Sequence, residues 1–407
     1  MTSINDSPIP KLRAVETTPV HQEGRLFILL RDPLRLADQQ IIIPQEISPV
    51  LALCDGTRNA SAISAALAVR YGQSVSPEEI DYLVSALDEA HLLENDRFLE
   101  AKDKALSDYI QAPFRQPVLS GISYPSDQDT LRNFLDEYLR TVESTPAITS
   151  LRGLVSPHID YERGGHIYAQ VWSAAKDTIQ EADLVIILGT DHFGQDNALT
   201  LTRQNYATPY GTLPTATSVV DEITQSIDER ILFNGQLYHK AEHSVELAAT
   251  WLHHIREGKS CEILPVLCGS FERFIQGETH PEDDPLLQRF IDALNSAITN
   301  RSAVIVAAAD LAHVGPAFGG RPLDLMGRAH LKAADQELMD WMCAGDAEGF
   351  FKAIQAIEDR NNVCGVPPIY LTLQLLSPVE GEFVAYDLCP ADQQGTSVVS
   401  ICGMLFQ

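Results

Sequence analysis

The stretch LVIILGTDHFG, residues 184–194, is an apolar run that ends in a cluster of polar residues. Five aliphatic residues without polar alternation are typical of a central β-strand that helices cover on both faces. The polar residues follow at the carboxyl end of that strand, which is where α/β folds place their sites. This segment therefore predicts an α/β fold with a functional site at one edge of its sheet.

The same pattern recurs along most of the chain. Three further apolar runs have strand length, at residues 151–156, 263–268 and 303–309. Alternation of such strands with helices between residues 115 and 407 predicts an α/β domain. The expected helices are 131–139, 167–179, 217–226, 243–256, 285–298, 325–343, 347–357 and 368–376, and the last expected strands are 382–388 and 396–405.

The N-terminal part has a pattern of its own. Residues 1–25 are polar, and we interpret them as a loose arm. Residues 26–110 combine two short strands with helices, one of which starts at a Ser-Pro-Glu-Glu capping box at 76–79. This combination predicts a small winged-helix-like domain. Pro113 and Pro117 interrupt helical propensity and mark the boundary before the α/β domain, residues 115–407.

Composition and charge exclude several classes of function. The chain has 29 Lys and Arg against 56 Asp and Glu, a net charge of -27, which disfavours nucleic-acid binding. Residues 1–110 are also acidic, so we expect the winged-helix-like domain not to bind DNA. No apolar run suits a membrane helix, no secretory signal is visible, and the seven cysteines form no C-x-x-C pair. We therefore expect a cytoplasmic protein with free thiols. No nucleotide-binding motif occurs, so we expect no nucleotide cofactor.

Four polar clusters follow apolar strands or open helices, and each contains a histidine. Histidine is the most frequent metal ligand, and a neighbouring carboxylate can complete the ligand set or orient the ring. Two histidines with one carboxylate suit Fe(II) and oxygen chemistry. The clusters predict one shared pocket. Their residues are His158 and Asp160; Asp191 and His192; Glu242, His243 and Glu246; Asp310 and His313.

Seven segments occur in a fixed order: SGISYPSDQDTLRNFLDEYL, VSPHIDYERGGHIYA, ILGTDHFG, EHSVELAATWL, AADLAHVG, NNVCGVPPIYLTL and GTSVVSICGMLF. Together they resemble the Memo family, whose bacterial and archaeal members are called AmmeMemoRadiSam system protein B. The resemblance implies a three-layer α/β/α sandwich similar to class III extradiol dioxygenases, with a pocket at the strand ends. It also implies a radical SAM protein and an AMMECR1-like protein as partners.

The resemblance places the metal ligands of the family on His158, His192 and His243. The family cysteine of the S-S-D-x-C-H motif falls on Ala312, which cannot bind a metal. Asp160 stands where a glycine is usual and adds a carboxylate beside His158. Both departures leave the identity of the metal and its full ligand set open.

The N-terminal segment resembles the PqqD-like fold in RDPLRL, IIIP, LCDGTRNASAISAAL and YLVSALDEAHLLE. This resemblance implies docking of a peptide or a protein. The alternative is a structural appendage on the larger domain.

Several smaller candidates have two interpretations. Cys364 precedes a glycine, as in the family, and is either a pocket thiol or a buried structural cysteine, since no basic residue follows it closely. Glu246 either faces the pocket or stabilises the helix dipole. His253 and His254 are expected at the surface.

Two functions are compatible with these observations. In the first, His158, His192 and His243 hold a divalent metal, most plausibly iron, with copper or zinc as alternatives. Asp310, His313 and His243 are then the catalytic candidates, in redox or oxygen-linked chemistry or in support of a radical SAM enzyme. Asp160, Asp191, Glu242, Glu246 and Cys364 are the candidate residues around the pocket. In the second, the same pocket binds a peptide or protein without catalysis. The sequence leaves the substrate open.

Overall fold

The computed structural model describes residues 7–22, 24–37, 39–143, 150–194 and 197–407. The chain divides into two compact units, Met1–Gln111 and Ala112–Gln407. Within the described ranges, no helix is both long enough and apolar enough to cross a membrane.

The described residues of the first unit form a three-stranded antiparallel sheet, in the order β1-β2-β3, and four α-helices. The predicted capping box is present, because Ser76 Oγ accepts from Glu79 N at 3.2 Å and Glu79 Oε2 accepts from Ser76 N at 2.8 Å. The elements are β1 (Glu16–Gln22), β2 (Arg25–Arg31), β3 (Ile41–Pro44), α1 (Pro49–Leu53), α2 (Ala60–Tyr71), α3 (Pro77–Glu89) and α4 (Asp96–Gln111).

Strand β1 differs from the sequence expectation, because it lies in the segment interpreted as a loose arm. Its residues pair with β2 along their whole length, from Glu16 opposite Arg31 to Gln22 opposite Arg25. No residue of β1 is fully buried, so the strand lacks the apolar alternation by which a half-buried strand is recognised in a sequence.

The second unit is built on an eight-stranded mixed sheet. Its strands follow the order β11-β13-β4-β10-β5-β9-β6, and β12 pairs with β13. The strands are β4 (Gly153–Ser156), β5 (Leu184–Thr190), β6 (Leu199–Leu201), β9 (Glu262–Cys268), β10 (Ala303–Ala308), β11 (His313–Val314), β12 (Gly381–Pro390) and β13 (Val398–Phe406), and β7 (Tyr206–Thr208) and β8 (Gly211–Leu213) form a separate hairpin.

Eleven helices are described in this unit. The largest difference from the expected bounds concerns the helix expected at 167–179, which begins earlier, at Tyr161, and is interrupted after Ala174. Two glycines at 164–165 obscured its first turn, since glycine is a weak helix former. The helices are α5 (Gln128–Leu139), α6 (Tyr161–Ala174), α7 (Lys176–Glu181), α8 (Thr217–Ser226), α9 (Glu229–Phe233), α10 (Ser244–Ile255), α11 (Glu272–Ile275), α12 (Pro285–Ile298), α13 (Leu325–Cys343), α14 (Ala347–Ala356) and α15 (Val366–Leu376).

Helices cover the sheet on both faces. In β5, Ile186 packs in an apolar cluster with residues of α8, α12 and α15, whereas the next residue, Ile187, packs in a second cluster with residues of α6 and α10. Every side chain of β5 is buried, as expected for a central strand. The prediction of an α/β sandwich is confirmed, and its similarity to class III extradiol dioxygenases stays a prediction.

Candidate metal centre

The register of the parallel strands brings two of the predicted polar clusters to one edge. Ala308 of β10 pairs with Ser156 of β4 on one side and with Gly189 of β5 on the other. The chain positions two residues beyond these are therefore neighbours at the carboxyl edge of the sheet, and they include His158 and Asp310. This edge is where an α/β fold places its site.

Helix α10 brings the third histidine to the same edge. His243 is the residue just before α10, and Ser244 Oγ donates to the carbonyl oxygen of Thr190 at 2.9 Å. A Cβ at Gly189 would lie 2.6 Å from Ser244 Oγ, so only glycine lets the helix start this close to β5. The His243 ring consequently stacks beside His192, with centroids 4.9 Å apart and planes at 15°.

Three histidines converge. One ligand atom from each of His158, His192 and His243 lies within 4.8 Å of the other two. In a tetrahedral site with bonds of about 2.05 Å, two ligand nitrogens stand about 3.3 Å apart. Small side-chain shifts would therefore close these three rings around one ion.

Glu242 orients two of the rings. Its carboxylate is buried and accepts from the backbone N–H of His192 at 3.0 Å, of His243 at 2.7 Å and of Ser244 at 2.9 Å. His192 Nδ1 lies 3.0 Å from this carboxylate, and His243 Nδ1 lies 3.2 Å from it. Because Nδ1 of each ring faces Glu242, Nε2 is left for an ion. Carboxylate–histidine–metal arrangements have this form.

His158 is oriented by backbone groups and by Asp310. Its Nδ1 lies 2.9 Å from the carbonyl oxygen of Ala308, and its backbone N–H donates to Asp310 Oδ1 at 2.8 Å. Asp310 Oδ2 lies 3.8 Å from His158 Nε2. Asp310 is thus placed to position His158, and it also brings a negative charge to the centre.

A thiol completes the cluster. Cys364 Sγ lies 3.3 Å from His158 Nε2. Gly365 allows this approach, because a Cβ there would lie 2.4 Å from the carbonyl oxygen of Asp310. Ala312, at the expected cysteine position, is buried and has no donor atom. No basic residue follows Cys364 closely in the chain, but its imidazole neighbours His158 and His192 come from distant segments.

The thiol and the imidazole beside it polarise each other. Burial acts to raise the pKa of Cys364, but the charges of His158 and His313 and hydrogen bonds from His158 and His192 lower it to about 5. Burial acts to lower the pKa of His158, but the charges of Asp310 and Cys364 raise it to about 9. A thiolate beside an imidazolium is the expected metal-free state.

The other two rings differ from each other. Burial acts to lower the pKa of His192, but the charge of Glu242 outweighs it and the pKa is raised well above its ordinary value. Burial and the charges of the other two rings lower the pKa of His243 to about 4, against the effect of Glu242. The metal-free centre thus holds protons on His158 and His192, beside negatively charged neighbours, and a cation that binds there would displace them.

Glu246 lies away from the rings and has a different task. Its side chain is buried and pairs with the buried guanidinium of Arg115. It also accepts from the backbone N–H groups of Val118 and Leu119, both at 2.8 Å, and from Tyr124 Oη at 2.7 Å. Glu246 lies in the first turn of α10, where a carboxylate stabilises the helix dipole, and it also fastens the segment before α5 to α10.

The remaining predicted residues occupy three different environments. Asp160 caps α6 by accepting from Arg163 N at 3.1 Å and pairs with the Arg163 guanidinium. Asp191 accepts from two backbone N–H groups of its own turn and lines the cleft described below. His313 is half-buried, with Nδ1 3.2 Å from the carbonyl oxygen of Leu311. Its charge acts on Cys364, but it does not belong to the three-histidine group.

A cleft of about 980 Å³ adjoins the centre. His192 and Cys364 reach its wall, so a molecule in the cleft would meet the centre from the β5 side. The lining also includes Glu358, Asp359 and Asn362, whose φ angles of 53°, 46° and 53° lie in the left-handed region. Left-handed backbone is costly for residues other than glycine and concentrates at functional sites.

A second group of potential ligands lies elsewhere in this unit. His280, Glu282 and Glu348 have donor atoms within 4.8 Å of one another. His280 Nδ1 accepts from Glu282 N at 3.3 Å, and its Nε2 lies 3.2 Å from Glu348. Lys352 also pairs with Glu348 at 2.8 Å. This arrangement suits an ion pair better than a metal.

His253 and His254 are buried, contrary to the expected surface position. Thr208 and Tyr210, at the β7–β8 hairpin, supply hydrogen bonds to them at 2.8 and 2.9 Å. The hairpin was not predicted from the sequence, so nothing indicated that this end of α10 is covered.

Comparison with known proteins places these features in a family. The family model described as Memo-like protein matches residues 115–405. A MEMO1 family protein of Aquifex aeolicus is 27% identical over 404 residues, which cover 98% of this chain and 99% of that protein. A MEMO1 family protein of Thermus thermophilus is 26% identical over 327 residues, 78% of this chain and 90% of that protein. One from Methanosarcina acetivorans is 26% identical over 268 residues, 66% and 88% respectively.

Proposed function

The chain belongs to the Memo-like protein family, and we propose that it is a metal-dependent protein of redox or oxygen-linked chemistry. His158, His192 and His243 would hold one divalent ion, most plausibly iron. The observation that carries this proposal is the buried Glu242 carboxylate, which faces Nδ1 of both His192 and His243 and leaves their Nε2 atoms for an ion. Bound there, iron would supply one-electron transfer and a coordination position for oxygen.

The residues around the ion would have separate tasks. Asp310 holds His158 through its backbone N–H, and Cys364 lies beside the same ring. Cys364 is therefore either a fourth ligand or a hydrogen-bond partner of the centre. His313 and Asp310 are the candidates for moving protons, because imidazole and carboxyl side chains are the usual general acids and bases of proteins. The cleft would admit the substrate on the side of His192 and Cys364.

Elemental analysis of anaerobically purified protein tests this function. We expect about one equivalent of a first-row metal per chain, retained on dialysis, and its loss in His158→Ala and in His192→Ala. The exposed His330 gives the control, since His330→Ala should keep the metal and the same thermal unfolding. Full retention of the metal by both pocket variants would contradict the proposal.

A second candidate function is binding without catalysis. The observation that favours it is the size of the cleft, which could hold a peptide segment without any reaction. Metal-free protein with saturable peptide binding would support it.

The family resemblance implies two partners, a radical SAM protein and an AMMECR1-like protein. Both partners are compatible with either function. A pull-down with immobilised protein tests the proposed docking role of the first unit. The full-length protein should retain these partners, and a chain that lacks residues 26–110 should not.

A further inference from the structure

The cleft beside the centre is acidic. In the part of the chain that the structure describes, its lining contains no Lys or Arg. It contains four carboxylates, Asp191, Glu272, Glu358 and Asp359. A cleft lined by one sign of charge attracts ligands of the opposite sign, because its low-dielectric walls focus the field.

These carboxylates lack protein counter-ions. Their hydrogen bonds come from neutral donors: Asp359 accepts from Val363 N at 2.8 Å, and Glu272 accepts from Gln276 Nε2 at 2.8 Å. No ion pair involves any of the four among the described residues. Elsewhere in the same unit, the exposed Asp221 pairs with Arg203 at 2.5 Å. The negative charge of the cleft is therefore left for a ligand.

Asp191 adds an independent observation. It is only 7% exposed, and Oδ1 is used by the backbone N–H groups of Phe193 and Gly194. Oδ2 is buried and has no hydrogen-bond partner within the described ranges. A buried oxygen of this kind is costly unless something binds it.

An inorganic ion does not suit this charge. The donors close enough to share one ion in the described residues are the three histidines and the group at His280, and no cleft carboxylate is among them. The cleft is also far larger than an ion needs, and its volume is that of a site for an organic molecule.

We propose that the cleft binds an organic cation, a molecule with an ammonium or guanidinium group that the carboxylates hold while its other end faces His192 and Cys364. Its role as a substrate rests on the proposed metal function, but the binding itself needs no metal. An anionic side chain or peptide carboxylate, which the binding function would also allow, is disfavoured because four carboxylates of the described lining face a single imidazole, His192, and no Lys or Arg.

Two pairs of probes that differ only in charge test this inference. Dopamine and 3,4-dihydroxyphenylacetate share a catechol that can reach the metal, and phenethylamine and phenylacetate serve for metal-free protein. For both pairs we expect the amine to bind at least about tenfold more tightly than the carboxylate at low salt. This ratio of affinities should decrease as salt screens the carboxylates of the cleft. Calorimetric titration of the full-length protein measures it.

A charge-neutral variant gives the matched comparison. The triple change Glu272→Gln, Glu358→Gln and Asp359→Asn should reduce the preference to about threefold or less, because Coulomb attraction scales with the number of charges. These residues are not ligands of the centre, so the metal content should stay the same.

The control variant removes three exposed acidic residues outside the cleft, by Glu222→Gln, Glu337→Gln and Asp340→Asn. It has the same net charge as the triple cleft variant and should keep the wild-type preference.

Each outcome decides a separate point. Three results would overturn the inference: the carboxylate probes bind as tightly as the amines or more tightly, the amines show no saturable binding, or the triple cleft variant keeps the wild-type ratio of amine to carboxylate affinity. Amine preference in protein that never holds metal would leave the inference standing and overturn the proposed function. Protein that holds the metal but binds amine and carboxylate probes equally would support the proposed function and overturn the inference.

Discussion

Cys364 Sγ lies 3.3 Å from Nε2 of His158, although 206 residues separate them in the chain. The nitrogen that a metal would use is therefore already in contact with a sulfur atom. An ion bound to His158 would have to take the thiolate as a ligand or lie next to it. A metal-bound thiolate and a thiol beside the metal give different absorption spectra.

Cobalt(II) substitution separates these cases. If Cys364 is a ligand, the cobalt protein should show an intense thiolate-to-metal absorption band in the near ultraviolet, and Cys364→Ser should lose the band and bind cobalt more weakly. Cys343→Ser is the control, because Cys343 is also a free, partly exposed cysteine. If wild-type protein binds cobalt through the histidines without this band, the thiol is a neighbour of the ion and not a ligand.

Glu242→Gln should weaken metal binding by about 10- to 100-fold, as loss of a carboxylate behind a metal-bound histidine does in other proteins. Glutamine offers one acceptor oxygen where Glu242 accepts from three backbone N–H groups and both imidazoles. Competition with a chromogenic chelator measures the affinity. The exposed Glu222→Gln should behave as wild type, and an equal affinity in both variants would show that Glu242 does not orient the ligands.

Buried neutral histidines should make the fold sensitive to acid. Burial lowers the pKa of His239 to about 3 and that of His253 to about 4. Both lie below the unfolded value near 6.5, so the unfolded chain binds more protons as the pH falls. Each histidine should therefore reduce the free energy of unfolding by about 1.4 kcal/mol per pH unit between about pH 6 and pH 4.

Urea unfolding of metal-free protein at several pH values checks this slope. His239→Gln should remove one histidine's share of it, even if the variant is less stable at every pH. His330→Gln, at the surface, should leave the slope unchanged. A slope that is the same in His239→Gln and wild type would mean that His239 is not held neutral in the folded protein.

The residues of the centre were predictable to different degrees. His158, His192 and Asp310 each follow a continuous apolar run within four residues, and parallel strands bring such positions together at one edge of a sheet. The contact of Cys364 depends on how α15 packs against the end of β10, and no local pattern encodes that. The burial of His253 likewise depends on the β7–β8 hairpin, whose three-residue strands are too short for a periodic signal.

The start of the second unit is also fixed by long-range contacts. Arg115 donates from Nε to the carbonyl oxygen of His239 at 2.9 Å and from Nη2 to that of Glu242 at 2.6 Å, and it pairs with Glu246. Arg115 thus ties the beginning of this unit to the residue that orients His192. Pro113 and Pro117 predict a domain boundary, and Arg115 between them is buried in the second unit.

Two shortened chains should therefore differ sharply. A chain that begins at Gln111 keeps Arg115 and should fold cooperatively and bind the metal. A chain that begins at Ser120 leaves Glu246 as a buried charge without its partner, which costs about 3–5 kcal/mol. It should be insoluble or unfold at a much lower temperature. Scanning calorimetry and metal content compare the two. If the longer chain is also insoluble, residues 26–110 are needed for this unit to fold, and the boundary near residue 111 does not separate independent domains.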